Sequence, residues 1–354
     1  MKELNINLID KSYNIYIENG LINSIGDKIK NIYNGKNIVI ITDENVDYFY
    51  GEKVKNNLKH SNFKVEKIVI KPGEKSKSFE VLLQVYDKML DLGIKRGDLI
   101  IALGGGVVGD LGGFAAATFL RGVPFIQIPT SLLAQIDSSI GGKVAVDLPR
   151  GKNLIGNFYH PKAVFIDPHL LKTLDKRFLY DGMGEVIKYA CIRDKNLFYK
   201  LLNMEHKEDL LYDIEEIIYT CCNIKKQVVE RDEKDTGERM ILNFGHTIGH
   251  SLEKYFNFEK YTHGEAVAIG MYTITKHSED MGLTEKGTSD SIKKVLNKYN
   301  LPYEENNIDK EKIIEAISLD KKGEGDFINL VLLNNIGEVF INKVEKSNIY
   351  KYII

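Results

Sequence analysis

Cysteine is scarce in this chain, long apolar runs are missing, and neither sign of charge is in surplus. The three cysteines among 354 residues, Cys191, Cys221 and Cys222, form an odd set without CxxC spacing. A disulfide framework is therefore not expected, and a reducing cytoplasm fits best. Cys221 and Cys222 lie in a helical pattern and read as core packing rather than as metal ligands. The longest apolar stretches, such as 99–103, are strand-sized and far short of a membrane span. The first residues lack the apolar core of a signal peptide; Leu4, Ile6 and Leu8 instead alternate with polar neighbours, as in a strand. Lys and Arg total 48 against 50 Asp and Glu, and they are spread along the chain, so nothing points to nucleic acid. No membrane and no nucleic-acid partner is expected.

What is present is an ordinary folded composition, 43% hydrophobic and 28% charged, in a length that suggests two domains. The first half alternates strands and helices. Residues 4–8 and 13–17 read as a hairpin; 37–42, 64–70, 98–103 and 123–128 read as strands; 78–92 and 112–119 read as helices. Buried strands separated by helices imply a parallel sheet covered on both faces. From about residue 176 to 319 helical periodicity takes over. Leu210, Ile214, Ile217, Ile218, Cys221, Lys225 and Val228 recur at spacings of three or four, with Lys225 the only polar member. A terminal hairpin is expected over 327–333 and 339–344 around Asn335–Gly337. The expected domains are 1–173, an α/β dinucleotide-binding unit, and 174–354, a mainly helical one.

Two motifs carry chemistry. Residues 104–110, GGGVVGD, follow a strand and satisfy G-x-G-x-x-G with Gly104, Gly106 and Gly109. Such a turn lets backbone approach a pyrophosphate and directs helix N–H groups at it, although a tight turn without ligand gives the same pattern. No acidic residue stands about twenty positions on, where a ribose-binding carboxylate is usual; Asp43, at the end of an earlier strand, is the candidate instead. In LNFGHTIGHSLEKY, His246 and His250 fall one helical turn apart. Thr247 replaces the glutamate of HExxH, so a zincin protease is excluded. The pair reads either as metal ligands or as core and cap residues. Lys143, Lys152, Lys188, Lys225 and Arg239 lie close to these motifs; singly they read as surface charges, together as a receptor for phosphate and carboxylate oxygens.

At these residues the chain resembles the 3-dehydroquinate synthase family. The likeness runs in order through DENV at 43–46, PGEKSKS at 72–78, GGGVVGDLGGFAAATFLRG at 104–122 and IPTSLLAQIDSSIGGKVAVD at 128–147. It continues through GKNLIGNFYHP at 151–161, GMGEVIKYA at 182–190, NFGHTIGHSLE at 243–253 and HGEAVAIGM at 263–271. The resemblance implies an N-terminal dinucleotide-binding domain, Rossmann-like with a parallel sheet, and a mostly α-helical C-terminal domain, with the active site between them. It implies Zn²⁺, with Co²⁺ as a substitute, on Glu185, His246 and His263, which moves His250 from the metal to the substrate. NAD is implied on Asp43, Asn45, Glu74, Lys77, the turn Gly105, Gly106, Val107, Val108, Gly109 and Asp110, then Thr130, Ser131, Lys143 and Lys152, and on Leu170, Leu171, Lys172 and Thr173. The catalytic set implied is Asp137, Lys143, Lys188, Lys225 and His250. Substrate contacts fall to Lys152, Asn153, Arg239, Asn243 and one of Lys321 and Lys322. Arg121 would reach the phosphate in a neighbouring subunit, which implies a homodimer. Gly184, where alanine is frequent, and Ser131, where threonine is, are conservative departures.

The reaction implied converts 3-deoxy-D-arabino-heptulosonate 7-phosphate into 3-dehydroquinate and phosphate, a step of the shikimate pathway. Oxidation at C5 acidifies the C6 proton, phosphate leaves, the hydride returns, and the opened ring closes by an aldol step. Two other classes compete. A related cyclase such as 2-deoxy-scyllo-inosose synthase acts on a substrate without a carboxylate, and Arg239 in DTGERMILN favours the carboxylate. A polyol dehydrogenase resembling glycerol dehydrogenase would leave the lysines without a purpose, and a non-catalytic binding protein would leave the filled metal positions unexplained.

Overall fold

A computed structural model describes residues 1–9, 11–206, 209–318 and 325–353. The first half forms β1 (Lys2–Ile6), β2 (Tyr13–Ile17), β3 (Asn37–Asp43), β4 (Lys64–Ile70), β5 (Leu99–Gly104), β6 (Phe125–Pro129), β7 (Lys143–Leu148), β8 (Gly151–Phe158) and β9 (Ala163–Ile166). Seven of these make one sheet in the order β1-β2-β9-β6-β5-β3-β4, parallel except for the β1–β2 hairpin. The central strands are mostly apolar because they bury both faces. Val39, Ile41, Ile100 and Ala102 join one buried cluster, while Ile38, Ile40, Leu99, Ile101 and Leu103 join another. Because β3 lies between β4 and β5, the chain leaves β3 on one side and returns on the other. The carboxyl ends of β3 and β5 therefore flank a topological switch point, where this class of sheet binds ligands. Asp43 and Gly104 are the strand-end residues there.

Several elements differ from the sequence expectation, among them β1, at Lys2–Ile6 rather than 4–8, and β9, where no strand is expected. The glycine turn is already helical: the helix runs Gly106–Thr118, six residues earlier than its apolar pattern indicates. Glycines are poor helix formers, but here they let the helix lie close to its neighbours. A Cβ on Gly112 would come within 3.2 Å of the Ala102 Cβ, and one on Gly113 within 2.4 Å of the Val144 side chain. The antiparallel pair β7–β8 was not foreseen. Residues 153–157 of β8 are exposed, so the segment has no buried face to mark it by alternation.

The second half supplies the helices Lys176–Arg193, Leu210–Arg231, His246–Tyr255, His263–Asp280 and Thr288–Lys298, then the hairpin of β10 (Phe327–Asn335) and β11 (Glu338–Glu345). The seven-residue stripe of helix Leu210–Arg231 is buried throughout, Lys225 included. The chain forms two compact units, Met1–Asp175 with Ile218–Lys234, and Lys176–Ile217 with Asp235–Ile354. The segment 218–234 groups with the first unit through side chains: Lys225 Nζ donates to Asp137 Oδ1 at 2.7 Å, and the Cys222 thiol to the Gln135 carbonyl at 3.4 Å. Among the described residues no helix is long and apolar enough to cross a membrane.

Candidate active site

Three helices of the second unit each bring one side chain to a common point. Glu185 lies in Lys176–Arg193, His246 opens His246–Tyr255, and His263 opens His263–Asp280. Their ligand atoms all lie within 4.8 Å of one another. His246 Nε2 is 3.5 Å and His263 Nε2 3.7 Å from Glu185 Oε1. Glu185 is fully buried; its Oε2 accepts from the Lys188 ammonium, whereas Oε1 accepts no hydrogen bond among the described residues. A buried, unsatisfied acceptor costs roughly 1–3 kcal/mol, and more when charged. A cation shared with two imidazoles removes that cost, and one carboxylate with two histidines is a ligand set that leaves a coordination position open.

The ring nitrogens are oriented for this. His246 Nδ1 lies 3.0 Å from the Phe244 carbonyl oxygen; with Nδ1–H donated there, the Nε2 lone pair faces Glu185. Burial, together with the Lys188 ammonium, holds His246 well below the usual histidine range, in the neutral form a metal requires. Burial also acts to lower His263, but Glu253, Glu185 and Asp181 outweigh it and hold it up at about 9.

Glycines allow the three helices to approach this closely. A Cβ on Gly184 would come 2.6 Å from the Gly264 carbonyl oxygen, one on Gly264 1.9 Å from that of Asp181, and one on Gly270 2.0 Å from that of Gly245. Helix His263–Asp280 thus meets the backbone of both partner helices. Glycine at 184, a small change when read as sequence, sits at one of these contacts. The helix start is fixed by a capping box between Thr262 and Glu265, and Asp181 Oδ1 accepts from the Gly264 N–H at 2.5 Å.

In the first unit, the candidate cofactor residues cluster at the carboxyl ends of the sheet. Asp43 Oδ1 accepts from the N–H groups of Asn45 and Val46 at 2.9 and 3.1 Å. Gly105 precedes helix Gly106–Thr118, and a Cβ on Gly105 or Gly106 would meet Ser131 Oγ at 3.4 Å or Ser138 Oγ at 3.2 Å. Thr130 is buried, its N–H donating to the Gly104 carbonyl. Lys77 is buried among three carboxylates, with Nζ 3.0 Å from Glu74, 3.3 Å from Asp110 and 3.8 Å from Asp147; Lys152 Nζ is 3.9 Å from Glu74. Burial tends to lower Lys77, but the carboxylates overcome it and raise its pKa. Burial raises Asp110 to about 6 in spite of Lys77. Val107, Val108 and Gly109 form the first turn of the helix, and Leu170–Thr173 lie in the short helix Pro168–Thr173, where the Tyr50 hydroxyl is 2.7 Å from Thr173 Oγ1.

The remaining candidates divide between the units. Asp137 and Lys225 form an ion pair in the first; Lys143 opens β7 and is exposed, as are Asn153 and Arg121. Arg239 is buried and Asn243 half-buried in the turn Glu238–Asn243, and His250 is exposed. Lys321 and Lys322 lie outside the described residues. The ring of His250 is 5.3 Å from that of His246, and it belongs to a second group with Glu253 and His263. Asp147, Asp181 and Glu253 were missed in the sequence; the only signal was an acidic residue at a position that turns out to be largely shielded.

Residues 67–181 match the family model described as 3-dehydroquinate synthase N-terminal, and residues 182–323 the one described as 3-dehydroquinate synthase C-terminal. The 3-dehydroquinate synthase of Clostridium acetobutylicum is 60% identical over 353 residues, covering 100% of this chain and 99% of that protein. That of Enterococcus faecalis is 42% identical over 351 residues, covering 99% and 98%. Among solved structures, 2-epi-5-epi-valiolone synthase from Streptomyces hygroscopicus, with NAD+ and Zn2+ bound, gives a TM-score of 0.88 at 26% identity over 98% of this chain and 97% of that one. A 2-deoxy-scyllo-inosose synthase complexed with carbaglucose-6-phosphate, NAD+ and Co2+ gives 0.86 at 25% identity over 100% of both. Its glycine turn, its two-histidine, one-glutamate cluster and these full-length matches together show that the chain belongs to the 3-dehydroquinate synthase family.

Proposed function

We propose that this protein is a 3-dehydroquinate synthase of the shikimate pathway, converting 3-deoxy-D-arabino-heptulosonate 7-phosphate into 3-dehydroquinate and phosphate with NAD and a divalent cation, Zn²⁺ or Co²⁺. The observation that carries the reading is the buried Glu185 oxygen, without a hydrogen bond, facing two histidine nitrogens in a chain of this family. The chemistry these groups supply when bound is reversible hydride acceptance by the nicotinamide and Lewis-acid polarisation of a substrate hydroxyl by the cation.

The chain's own part is to bind and to orient. The N-terminus of helix Gly106–Thr118, with Gly105 before it, offers N–H groups to the pyrophosphate. Asp43, Glu74 and Asp110 accept from cofactor hydroxyls, and Lys77 keeps Glu74 and Asp110 from repelling one another. Leu170–Thr173, Thr130 and Ser131 line the cofactor. Lys152 and Asn153 hold substrate phosphate, Arg239 the substrate carboxylate, and Lys188, Lys225, Asn243 and His250 its hydroxyl and ring oxygens. Asp137 orients Lys225 at 2.7 Å. The eliminated phosphate takes up the C6 proton, so no separate general base is required. Fixing one substrate through successive steps is the main contribution of such residues. Arg121 serves a neighbouring subunit in a homodimer, and the protein works in the cytoplasm.

The test is phosphate release from the heptulosonate phosphate with Zn²⁺ and a trace of NAD. Many phosphates per NAD, matched by 3-dehydroquinate, are expected. Phosphate released only from a hexose 6-phosphate would place the protein with the other cyclases. NADH accumulating on a polyol, without phosphate release, would make it a dehydrogenase.

A further inference from the structure

We infer that Glu253 is a positioning residue of the metal group, holding His263 with its Nδ1–H toward the Glu253 carboxylate so that Nε2 faces the cation. This rests on the metal reading of Glu185, His246 and His263. Glu253 follows His246 by seven residues on helix His246–Tyr255, two turns along the same face. It is only 4% exposed, an acidic side chain where the helix otherwise packs Ile248 and Leu252 inward. Glu253 Oε2 stands 3.6 Å from His263 Nδ1, while the opposite ring nitrogen stands 3.7 Å from Glu185 Oε1. The imidazole is thus spanned by two buried carboxylates, one on each nitrogen. Glu185 is also within reach of His246 Nε2. A carboxylate behind a ligating histidine fixes its tautomer and ring plane and raises its basicity. His246 has the same support from the Phe244 carbonyl, so each imidazole ligand is held from behind by a different kind of acceptor.

His250, Glu253 and His263 also lie close enough together to form a ligand group of their own. The two arrangements exclude one another at His263, since a nitrogen that donates its proton to Glu253 cannot bind a second ion.

The experiment is competition for Zn²⁺ between a chromophoric chelator and metal-free native chain, Glu253→Ala, Glu253→Gln, or His246→Ala as the reference for a lost ligand. Removal of such a support typically weakens metal affinity about 10–100-fold, and that loss is expected for Glu253→Ala. Glu253→Gln is expected to recover most of it, because the amide carbonyl accepts the same N–H. NAD affinity and circular dichroism should match the native chain in both. A folded Glu253→Ala with native zinc affinity would overturn the inference, as would two zinc ions per native chain. Should the alanine variant not fold, histidine ¹⁵N spectra of the zinc-loaded native chain decide: a His263 proton on Nδ1 supports the inference, and one on Nε2 sinks it. A native chain that binds no zinc would overturn the metal reading as well, which distinguishes the two failures.

Discussion

Asp110 shows how a charge cluster can be held at a cost to stability. Burial raises its pKa from 3.8 to about 6, and Lys77 offsets this only in part. An acid whose folded value is raised contributes stability in full below its unfolded value and loses it as pH rises through the folded one. Asp110→Asn stays neutral at every pH, so its melting temperature relative to the native chain should climb between pH 4 and 7 while NAD affinity falls. A difference that stays flat across that range would contradict the assignment. At the proposed metal group, His246→Ala removes one of the three proposed ligands, and dialysed protein should lose its zinc and its turnover together. Full zinc occupancy in that variant, measured by atomic absorption, would remove His246 from the ligand set. These residues were legible to different degrees. Helical periodicity alone paired His246 with His250, since they share a face; it has no means of relating either to a residue on another helix. The roles of His263 and Glu185 came from the family resemblance, and the structure sets His250 in a second group with Glu253 and His263, its ring 5.3 Å from that of His246.

The elements bearing the ligands meet through close backbone contact as well as through side-chain packing. At Gly270 a methyl group would have to occupy space 2.0 Å from the Gly245 carbonyl oxygen, and backbone cannot swing aside as a flexible side chain can. Gly270→Ala should therefore destabilise the protein by about 1–3 kcal/mol and weaken zinc binding, because Gly245 immediately precedes His246. Chemical denaturation together with chelator competition checks both, and unchanged values would show that the helices can separate without disturbing the group. The same logic explains what was hard to read along the chain. Helix Gly106–Thr118 begins inside a glycine-rich turn because closeness to the sheet outweighs intrinsic propensity. Strand β8 was missed because most of its side chains face water, and an exposed strand leaves no period-two pattern.

Over the whole molecule, the two compact units should respond to their ligands separately. Hydrogen exchange with Zn²⁺ is expected to protect amides in 183–188, 244–253 and 262–268, all in the second unit. NAD is expected to protect 43–46, 104–110, 130–131 and 170–173, in the first. A ligand that binds only the native state at a hundred times its Kd adds about 2.7 kcal/mol, so both should also raise the melting temperature. Protection by zinc confined to the first unit would refute the placement of the metal group.

By itself the sequence determined the parallel sheet, through apolar runs such as NIVIIT and DLIIAL that can be buried on both faces, and the helical second half, through stripes at spacings of three and four. Those are properties of local periodicity, which a chain carries with it wherever it folds. Only the tertiary structure decided that 218–234 packs with the first unit, that Lys77 is ringed by Glu74, Asp110 and Asp147, and that Glu253 stands behind His263. Each of these joins residues distant in sequence or on different elements. Burial and electrostatics act through space, and a one-dimensional pattern records only which residue could be buried, not which others will surround it.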